Sequence, residues 1–267
     1  MARERIGFIG LGEQGKPMAI NLAKSGFPVT VLDLRPEPVA ELTALGAQAG
    51  VSPRAVAAAS DIIAIMVVDD AQVEAVLGGT DGVLAGARPG SLVVIHSTVR
   101  PATVRAVGNR AATQGVGTVD APVSGGPQGG VARTLAYMVG GAAEHVARCR
   151  PAFETSGSSI VHLGPLGAGM TAKLAHQVVL CLNILGACEG MAIAARSGLD
   201  LKQMEAVLRA SAGQSRAADH WTTRKPTAHG GRLLRKDLTL ALDCALELGL
   251  DLAGTKLLHE RIEQILA

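Results

Sequence analysis

Residues 6–15 read Ile-Gly-Phe-Ile-Gly-Leu-Gly-Glu-Gln-Gly, and the next apolar run, Val29-Thr30-Val31-Leu32, ends on Asp33. Ile6, Phe8 and Ile9 make a short apolar strand. Gly10, Gly12 and Gly15 fill a G-x-G-x-x-G spacing, and Pro17-Met18-Ala19-Ile20-Asn21-Leu22 continues it as a helix. Without a Cβ, Gly10 can make the tight turn, Gly12 lets a pyrophosphate approach the backbone, and Gly15 lets helix and strand pack closely. The unpartnered N–H groups at the helix start favour an anion there. Asp33, at the tip of the second strand, is placed to accept hydrogen bonds from a ribose diol. Strand, helix, second strand and acid at these separations predict a dinucleotide site.

Working outward, short apolar runs alternate with helical patterns through residue 164, the pattern of a doubly wound, mostly parallel sheet. Asp61 to Val68 and Ser91 to His96 read as buried strands, and Thr118-Val119-Asp120, Leu135 to Val139 and Ile160 to Leu163 as further ones. Ser52-Pro53 reads as a helix start, with Ser as cap and Pro in the first helical position. After Gly164-Pro165 the alternation stops. Residues 169–196 form one long pattern, apolar nearly all round, which requires cover on several sides. Helical patterns follow at 200–211, 236–248 and 253–266. The stretch 213–235 is polar and basic (Arg216, His220, Arg224, Lys225, His229, Arg232, Arg235) and reads as a loop with a helix inside it. The expected architecture is an α/β Rossmann domain over 1–164, then a long connecting helix and a smaller all-helical domain for substrate and oligomerisation over 165–267.

Composition narrows the function classes. The 267 residues are 48% hydrophobic but only 2% aromatic, so the core must be built from Ala, Val, Leu and Ile. A net charge of +2 offers no nucleic-acid surface. Cys149, Cys181, Cys188 and Cys244 are scattered without C-x-x-C, which reads as reduced thiols in a cytoplasmic protein and not as metal ligands. Met1 to Arg5 lead directly into the first strand with no separate apolar segment ahead of it. Val178 to Ala195 is very apolar but carries Asn183 and Glu189, so it is expected as a buried helix and not a membrane span.

Two further constellations carry chemistry. Asp120-Ala121-Pro122-Val123-Ser124-Gly125-Gly126 follows a strand at the carboxyl edge of the sheet, where open α/β folds bind ligands. A hydroxyl beside two glycines offers side-chain and backbone donors suited to a carboxylate. Gly167-Ala168-Gly169 opens the long helix, and Lys173 lies about one turn in, sharing a face with His176 and Gln177. Burial lowers an amine's pKa and makes it a usable proton acceptor; otherwise Lys173 is a lysine snorkelling from a helix end. Lys236-Asp237-Leu238 reads as the solvated first turn of a later helix.

Taken in order, these residues resemble the β-hydroxyacid dehydrogenase family, which includes 3-hydroxyisobutyrate, tartronate semialdehyde and 6-phosphogluconate dehydrogenases. The resemblance rests on Gly7 to Gly12 with Gly15, Pro17-Met18 and Asn21-Leu22, on Ser97-Thr98 with Pro101, on Asp120 to Gly126 with Thr134-Leu135, on Gly167, Gly169 and Lys173, and on Lys236-Asp237-Leu238 with Leu240-Ala241. It implies hydride transfer between the hydroxyl-bearing carbon of a small 3-hydroxy acid and NAD, with Lys173 as general acid/base and Gln177 beside it. Ser124, Gly125, Gly126 and Lys236 would bind substrate. Gly10, Leu11, Gly12, Gln14, Gly15, Asp33, Leu34, Arg35, Met66, Val67, Thr98 and Lys236 would bind cofactor. The helical domain would make dimer or tetramer contacts. Asp33 argues for NAD, since a carboxylate repels a 2′-phosphate, while Arg35 keeps NADP open. Gln177 stands where the family commonly has Asn, Arg133 where it has Gly, Gln14 where it has Met and Val68 where many members have Pro. An NADPH-dependent semialdehyde or glyoxylate reductase is the second reading. An imine reductase is disfavoured by Lys173, and a dinucleotide-binding protein without turnover stands as the non-enzymatic alternative.

Overall fold

The computed structural model describes residues 3–223 and 228–265. By internal contact the chain divides into two compact units, Met1–Lys173 and Leu174–Ala267. The first unit runs β1 (Ile6–Ile9), α1 (Gly15–Lys24), β2 (Val29–Leu32), α2 (Pro36–Ala44), β3 (Gln48–Ala49), α3 (Pro53–Ala58), β4 (Ile62–Ile65), α4 (Asp70–Leu77), α5 (Val83–Gly86), β5 (Leu92–Ile95) and α6 (Pro101–Ala112). It continues through β6 (Gly117–Asp120), β7 (Val123–Ser124), α7 (Gly126–Ala132), β8 (Leu135–Gly141), α8 (Ala143–Phe153) and β9 (Gly157–Gly164) to the start of α9 (Ala168–Arg196).

Among the described residues nine strands form one sheet, in the order β3-β2-β1-β4-β5-β6-β8-β7, with β9 pairing β8. Strands β1 to β6 are parallel, β8 runs antiparallel to β6 and β7, and β9 returns parallel to β8. The sequence order reverses between β1 and β4, which opens a crevice beyond their carboxyl ends. Every residue of β1, β4 and β5 is buried, as strands covered by helices on both faces must be. Ile6, Phe8, Ala64 and Val94 pack into one core, and Ile63, Ile65, Val93 and Ile95 into the other. The expected cap of α3 is present: Ser52 Oγ accepts the Ala55 N–H at 3.1 Å, with Pro53 opening the helix.

The second unit holds the rest of α9, then α10 (Leu201–Arg209), α11 (Arg216–Asp219), a 3-10 turn at Trp221–Thr223, α12 (Ala228–Glu247) and α13 (Ala253–Ile265). Its core joins Cys181, Ile184 and Ala187 of α9 to Ala217, Ala218, Leu238, Leu258 and Ile262. α9 is long and apolar enough to cross a bilayer by length and composition, yet this stripe packs into a protein core. Among the described residues its other face is left open: Val179 (59%), Leu182 (36%) and Ile193 (70%) are exposed.

One boundary differs from the sequence reading. α12 begins at Ala228, so Lys236-Asp237 lies in mid-helix and not in a solvated first turn, and Asp237 is buried. Gly230 and Gly231 interrupt the apolar periodicity, which hides the helix start. Arg224 and Lys225 lie outside the described residues, as does the side chain of His229.

Candidate active site

The glycine turn is built as its spacing demands. Gly10 has φ +96°, and a Cβ there would overlap the carbonyl oxygen of Met66. A Cβ on Gly15 would overlap the carbonyl of Gly10, whereas one on Gly12 would meet nothing within 4 Å. Two glycines are therefore needed for packing and the third faces open space, where a ligand can lie against the backbone. Gln14 occupies the cap position of α1 but its side chain makes no cap hydrogen bond; the Lys16 N–H turns back to the Gly12 carbonyl at 3.0 Å, and the positive end of the helix faces the turn, where an anion is favoured. The Gln14 side-chain nitrogen is buried with no hydrogen-bond partner, and a Cβ on Gly130 of α7 would lie 3.3 Å from it.

Asp33 lies just past the end of β2, and its carboxylate reaches back to the turn. Oδ2 accepts the Leu11 N–H at 2.6 Å, and Oδ1 accepts the Arg35 backbone N–H at 2.9 Å and Arg35 Nε at 3.1 Å. Burial alone would raise the carboxyl pKa. The hydrogen bonds from Arg35 and Leu11, with the Arg35 charge, outweigh it and hold Asp33 below its ordinary value. Arg35 also donates Nη2 to the Leu11 carbonyl at 3.1 Å. Leu34 is fully exposed beside them. Met66 and Val67, half-buried, follow β4, and the Val67 N–H is held by Ser97 Oγ at 2.8 Å, next to half-buried Thr98 after β5. These residues line the carboxyl edge of neighbouring strands, and the open ground at Gly12, the uncapped helix start and the acid at the ribose end together fit a dinucleotide.

Farther along the same edge, β7 ends on half-buried Ser124, and Gly125 (φ +131°) and Gly126 (φ +65°) turn the chain into α7. Lys173 is 7% exposed, and its Nζ donates to the carbonyl of Val123 at 2.9 Å. The snorkelling alternative is thereby excluded: the amine turns inward, to the residue preceding Ser124.

Asp120 was legible as part of the Ser-Gly-Gly motif but not for what it does. Fully buried, its Oδ1 accepts the Gly167 N–H at 2.8 Å and its Oδ2 the Met170 N–H at 2.7 Å, which caps α9 from 50 residues away. Burial pushes its carboxyl pKa up, against those hydrogen bonds.

In the second unit Gln177 and Lys236 meet on one acid. Asp237 Oδ2 accepts Gln177 Nε2 at 2.5 Å, and Oδ1 faces Lys236 Nζ at 3.0 Å. A carboxylate only accepts, so the Gln177 amide nitrogen must face Asp237 and its oxygen must face His176 Nδ1, 3.0 Å away. His176 therefore carries its proton on Nδ1 toward Gln177. This His176–Gln177–Asp237–Lys236 chain was not expressed in the sequence beyond a shared helix face. Among the described residues no group of three His, Cys, Asp or Glu could hold a metal ion, and Cys149, Cys181, Cys188 and Cys244 form no disulfide.

Residues 5–164 match the family model for the NAD binding domain of 6-phosphogluconate dehydrogenase, and residues 167–267 match that for the NAD-binding part of NADP-dependent 3-hydroxyisobutyrate dehydrogenase. The chain belongs to the β-hydroxyacid dehydrogenase family. It is 38% identical over 254 residues to NAD-dependent L-serine dehydrogenase of Pseudomonas aeruginosa, covering 91% of this chain and 85% of that one. It is 39% identical over 249 residues to 3-hydroxyisobutyrate dehydrogenase of the same organism, covering 89% and 84%. Among solved structures, 3-hydroxyisobutyrate dehydrogenase of Mycobacterium tuberculosis with L-serine aligns with a TM-score of 0.86 at 29% identity, covering 98% of this chain and 93% of that one. As a β-hydroxyacid dehydrogenase the chain is a nicotinamide-dependent oxidoreductase acting on the CH–OH group of a hydroxy acid.

Proposed function

We propose that this enzyme oxidises a small 3-hydroxy carboxylic acid with NAD and that Lys173 is its general acid/base. The observation that carries the reading is the Lys173–Val123 hydrogen bond of 2.9 Å. It holds a buried amine beside the Ser124-Gly125-Gly126 loop, so an acid gripped by that loop would present its hydroxyl near Nζ. The Ser124 hydroxyl and the N–H groups of the two glycines take the substrate carboxylate. Gly12, Gln14 and Gly15 would hold the pyrophosphate at the start of α1 in the turn that Gly10 and Leu11 shape, their own N–H groups being donated to Leu32 and Asp33; Asp33 would take the ribose diol with Leu34 and Arg35 beside it, and Met66, Val67 and Thr98 would lie near the nicotinamide. The dinucleotide, when bound, supplies the hydride acceptor. Lys173, in its neutral form, takes the hydroxyl proton onto Nζ as the carbonyl forms and returns one in the reverse direction. Val123 fixes where Nζ sits without consuming its lone pair, because the amine is the donor in that bond. Gln177 and Lys236 belong to the site by family pattern, and within their own unit Asp237 holds both.

Two relatives are named for 3-hydroxy acids, L-serine and 3-hydroxyisobutyrate. Each pairs a carboxylate with a hydroxyl on the β-carbon, the separation needed to span the Ser-Gly-Gly loop and Lys173. A second reading, an NADPH-dependent reductase of semialdehydes or glyoxylate, draws support from Arg35 beside Asp33 and from the NADP-dependent description of the matched second model. A second copy of the chain covers the exposed face of α9, giving a cytoplasmic homodimer or homotetramer.

A spectrophotometric panel of short 3-hydroxy acids with NAD and with NADP tests the reading, with Lys173→Ala as control. That variant is expected to lose on the order of 100- to 10,000-fold in kcat while its cofactor Kd changes by no more than about twofold, because the lysine acts in the transition state. Turnover retained by Lys173→Ala removes the residue from its role. Tight cofactor binding with no acid oxidised supports the non-enzymatic reading instead.

A further inference from the structure

We infer that Asp120 is a positioning residue for the reaction: its carboxylate pins the first turn of α9 to the end of β6 and so sets where Lys173 stands relative to the Ser124 loop. The inference rests on the acid/base reading of Lys173. Asp120 ends β6, and the chain that leaves it carries Val123 and Ser124 three and four residues later. The helix that carries Lys173 starts on the other side of the same carboxylate. Both of its oxygens are engaged there, Oδ1 by the Gly167 N–H and Oδ2 by the Met170 N–H, at 2.8 and 2.7 Å. Lys173 follows Met170 by three residues, just under one turn, and closes the loop by donating to Val123 at 2.9 Å. The path Val123–Asp120–Met170–Lys173–Val123 is thus a small ring of backbone segments and hydrogen bonds with one carboxylate as its rigid corner.

The surroundings are cut to that carboxylate. A Cβ on Gly140 would overlap Asp120 Oδ1, and one on Gly169 would overlap the Met138 carbonyl and lie 2.9 Å from the Asp120 backbone oxygen. Neighbouring strand and helix approach closely enough that the acid has one place to be. An ordinary helix cap comes from the residue just before the helix and fixes only the helix's own end. This cap comes from a strand 50 residues earlier, so it fixes the helix against the sheet. The negative charge also opposes the positive end of a 29-residue helix, which is the favourable arrangement. Geometry between a proton acceptor and its substrate is costly to lose: a displacement of about 1 Å can lower a rate roughly 100-fold.

The test is Asp120→Asn, which keeps the shape but turns an NH2 toward one of the two backbone N–H donors. Folded, cofactor-competent sites are counted by titration with NAD, and kcat and KM are reported per site. The expected result is a kcat lower by about 10- to 100-fold with the NAD Kd within about twofold of the parent. Asp120→Glu, which keeps the charge but not the length, should fail to restore it. Gly140→Ala, whose Cβ would press on Asp120 Oδ1 and on the Pro165 carbonyl and Gly169 N–H where the chain enters α9, disturbs the same junction and should lower kcat in the same direction. An Asp120→Asn enzyme with parental kcat per site overturns the inference, and so does loss of folded protein in both Asp120→Asn and Gly140→Ala, since the role is then structural. Lys173→Ala run in parallel separates the two claims. Turnover surviving in it overturns the acid/base reading and this inference with it, whereas turnover lost there but kept in Asp120→Asn overturns the positioning role alone.

Discussion

The carboxylate of Asp33 accepts the backbone N–H of Leu11 at 2.6 Å, so the acid that would read the ribose is bonded to the turn that would hold the phosphates. The two ends of the adenosine-diphosphate site are therefore one unit. The same carboxylate is the near partner of Arg35, whose side chain is more than half exposed and also donates to the Leu11 carbonyl at 3.1 Å.

Asp33→Asn is expected to shift selectivity toward NADP. The variant loses a charged acceptor for the 2′-hydroxyl and the repulsion toward a 2′-phosphate, and it frees Arg35 from its ion pair. Hydrogen bonds to a charged group contribute about 1.5–3 kcal/mol, so the ratio of kcat/KM for NAD to that for NADP should fall by roughly 10- to 100-fold. Because the Asp33 carboxyl is held below its ordinary pKa, it stays ionised at neutral pH, and the preference of the parent enzyme should be flat from about pH 6 to 9. A ratio unchanged by the substitution would show that Asp33 does not choose the cofactor.

The part of this architecture that could be read from the sequence is the part whose meaning is local. Gly10, Gly12 and Gly15 declare a turn within six residues, Ser52-Pro53 declares a helix start within two, and the apolar runs at β4 and β5 declare buried strands by themselves. What stayed hidden depends on residues far apart. Nothing near Asp120 says that it caps a helix beginning at Ala168, and nothing near Gln177 says that its amide is taken by Asp237, 60 residues on. β3 and β7 are two residues long, too short to show any periodicity. Arg133 adopts φ +59°, a left-handed conformation that favours glycine, and nothing in its side chain announces that backbone shape.

The uncovered face of α9 predicts self-association. Val179, Leu182 and Ile193 fall at offsets of three and fourteen along the helix, with Gly186 and Gly190 between them, which draws one apolar stripe down its length. Covering a large aliphatic side chain contributes roughly 1.5–3 kcal/mol, and a two-fold pairing counts each residue twice. The parent protein should elute from gel filtration with light scattering as a dimer or tetramer at micromolar concentration. Leu182→Glu with Ile193→Asp should yield a folded smaller species, checked by circular dichroism. A parent chain that runs as a monomer at about ten micromolar would remove the homo-oligomer from the reading.

Acid should weaken the first unit through His96. The ring is buried between Phe8, Tyr137 and Phe153, with centroids 6.3, 5.9 and 5.8 Å away, and its Nδ1–H donates to the Ala121 carbonyl at 2.7 Å. Burial pushes its pKa from 6.5 down to about 4, outweighing that hydrogen bond. The folded state thus holds the neutral ring, while the unfolded chain takes up a proton below about pH 6.5. Stability from this residue is whole above pH 6.5 and is lost as the pH falls toward 4, in total about 3 kcal/mol at about 1.4 kcal/mol per pH unit. Asp61, whose carboxyl is held down to about 2 mainly by the Arg5 hydrogen bond, contributes at lower pH, as its stabilisation is lost from about pH 4 downward. His96→Asn keeps a donor toward Ala121 but cannot titrate. Thermal melts from pH 8 to 4 should show a lower Tm for the variant at neutral pH and a much shallower fall between pH 6.5 and 4.5. Parallel curves for parent and variant across that interval would show that His96 is not the group that senses acid.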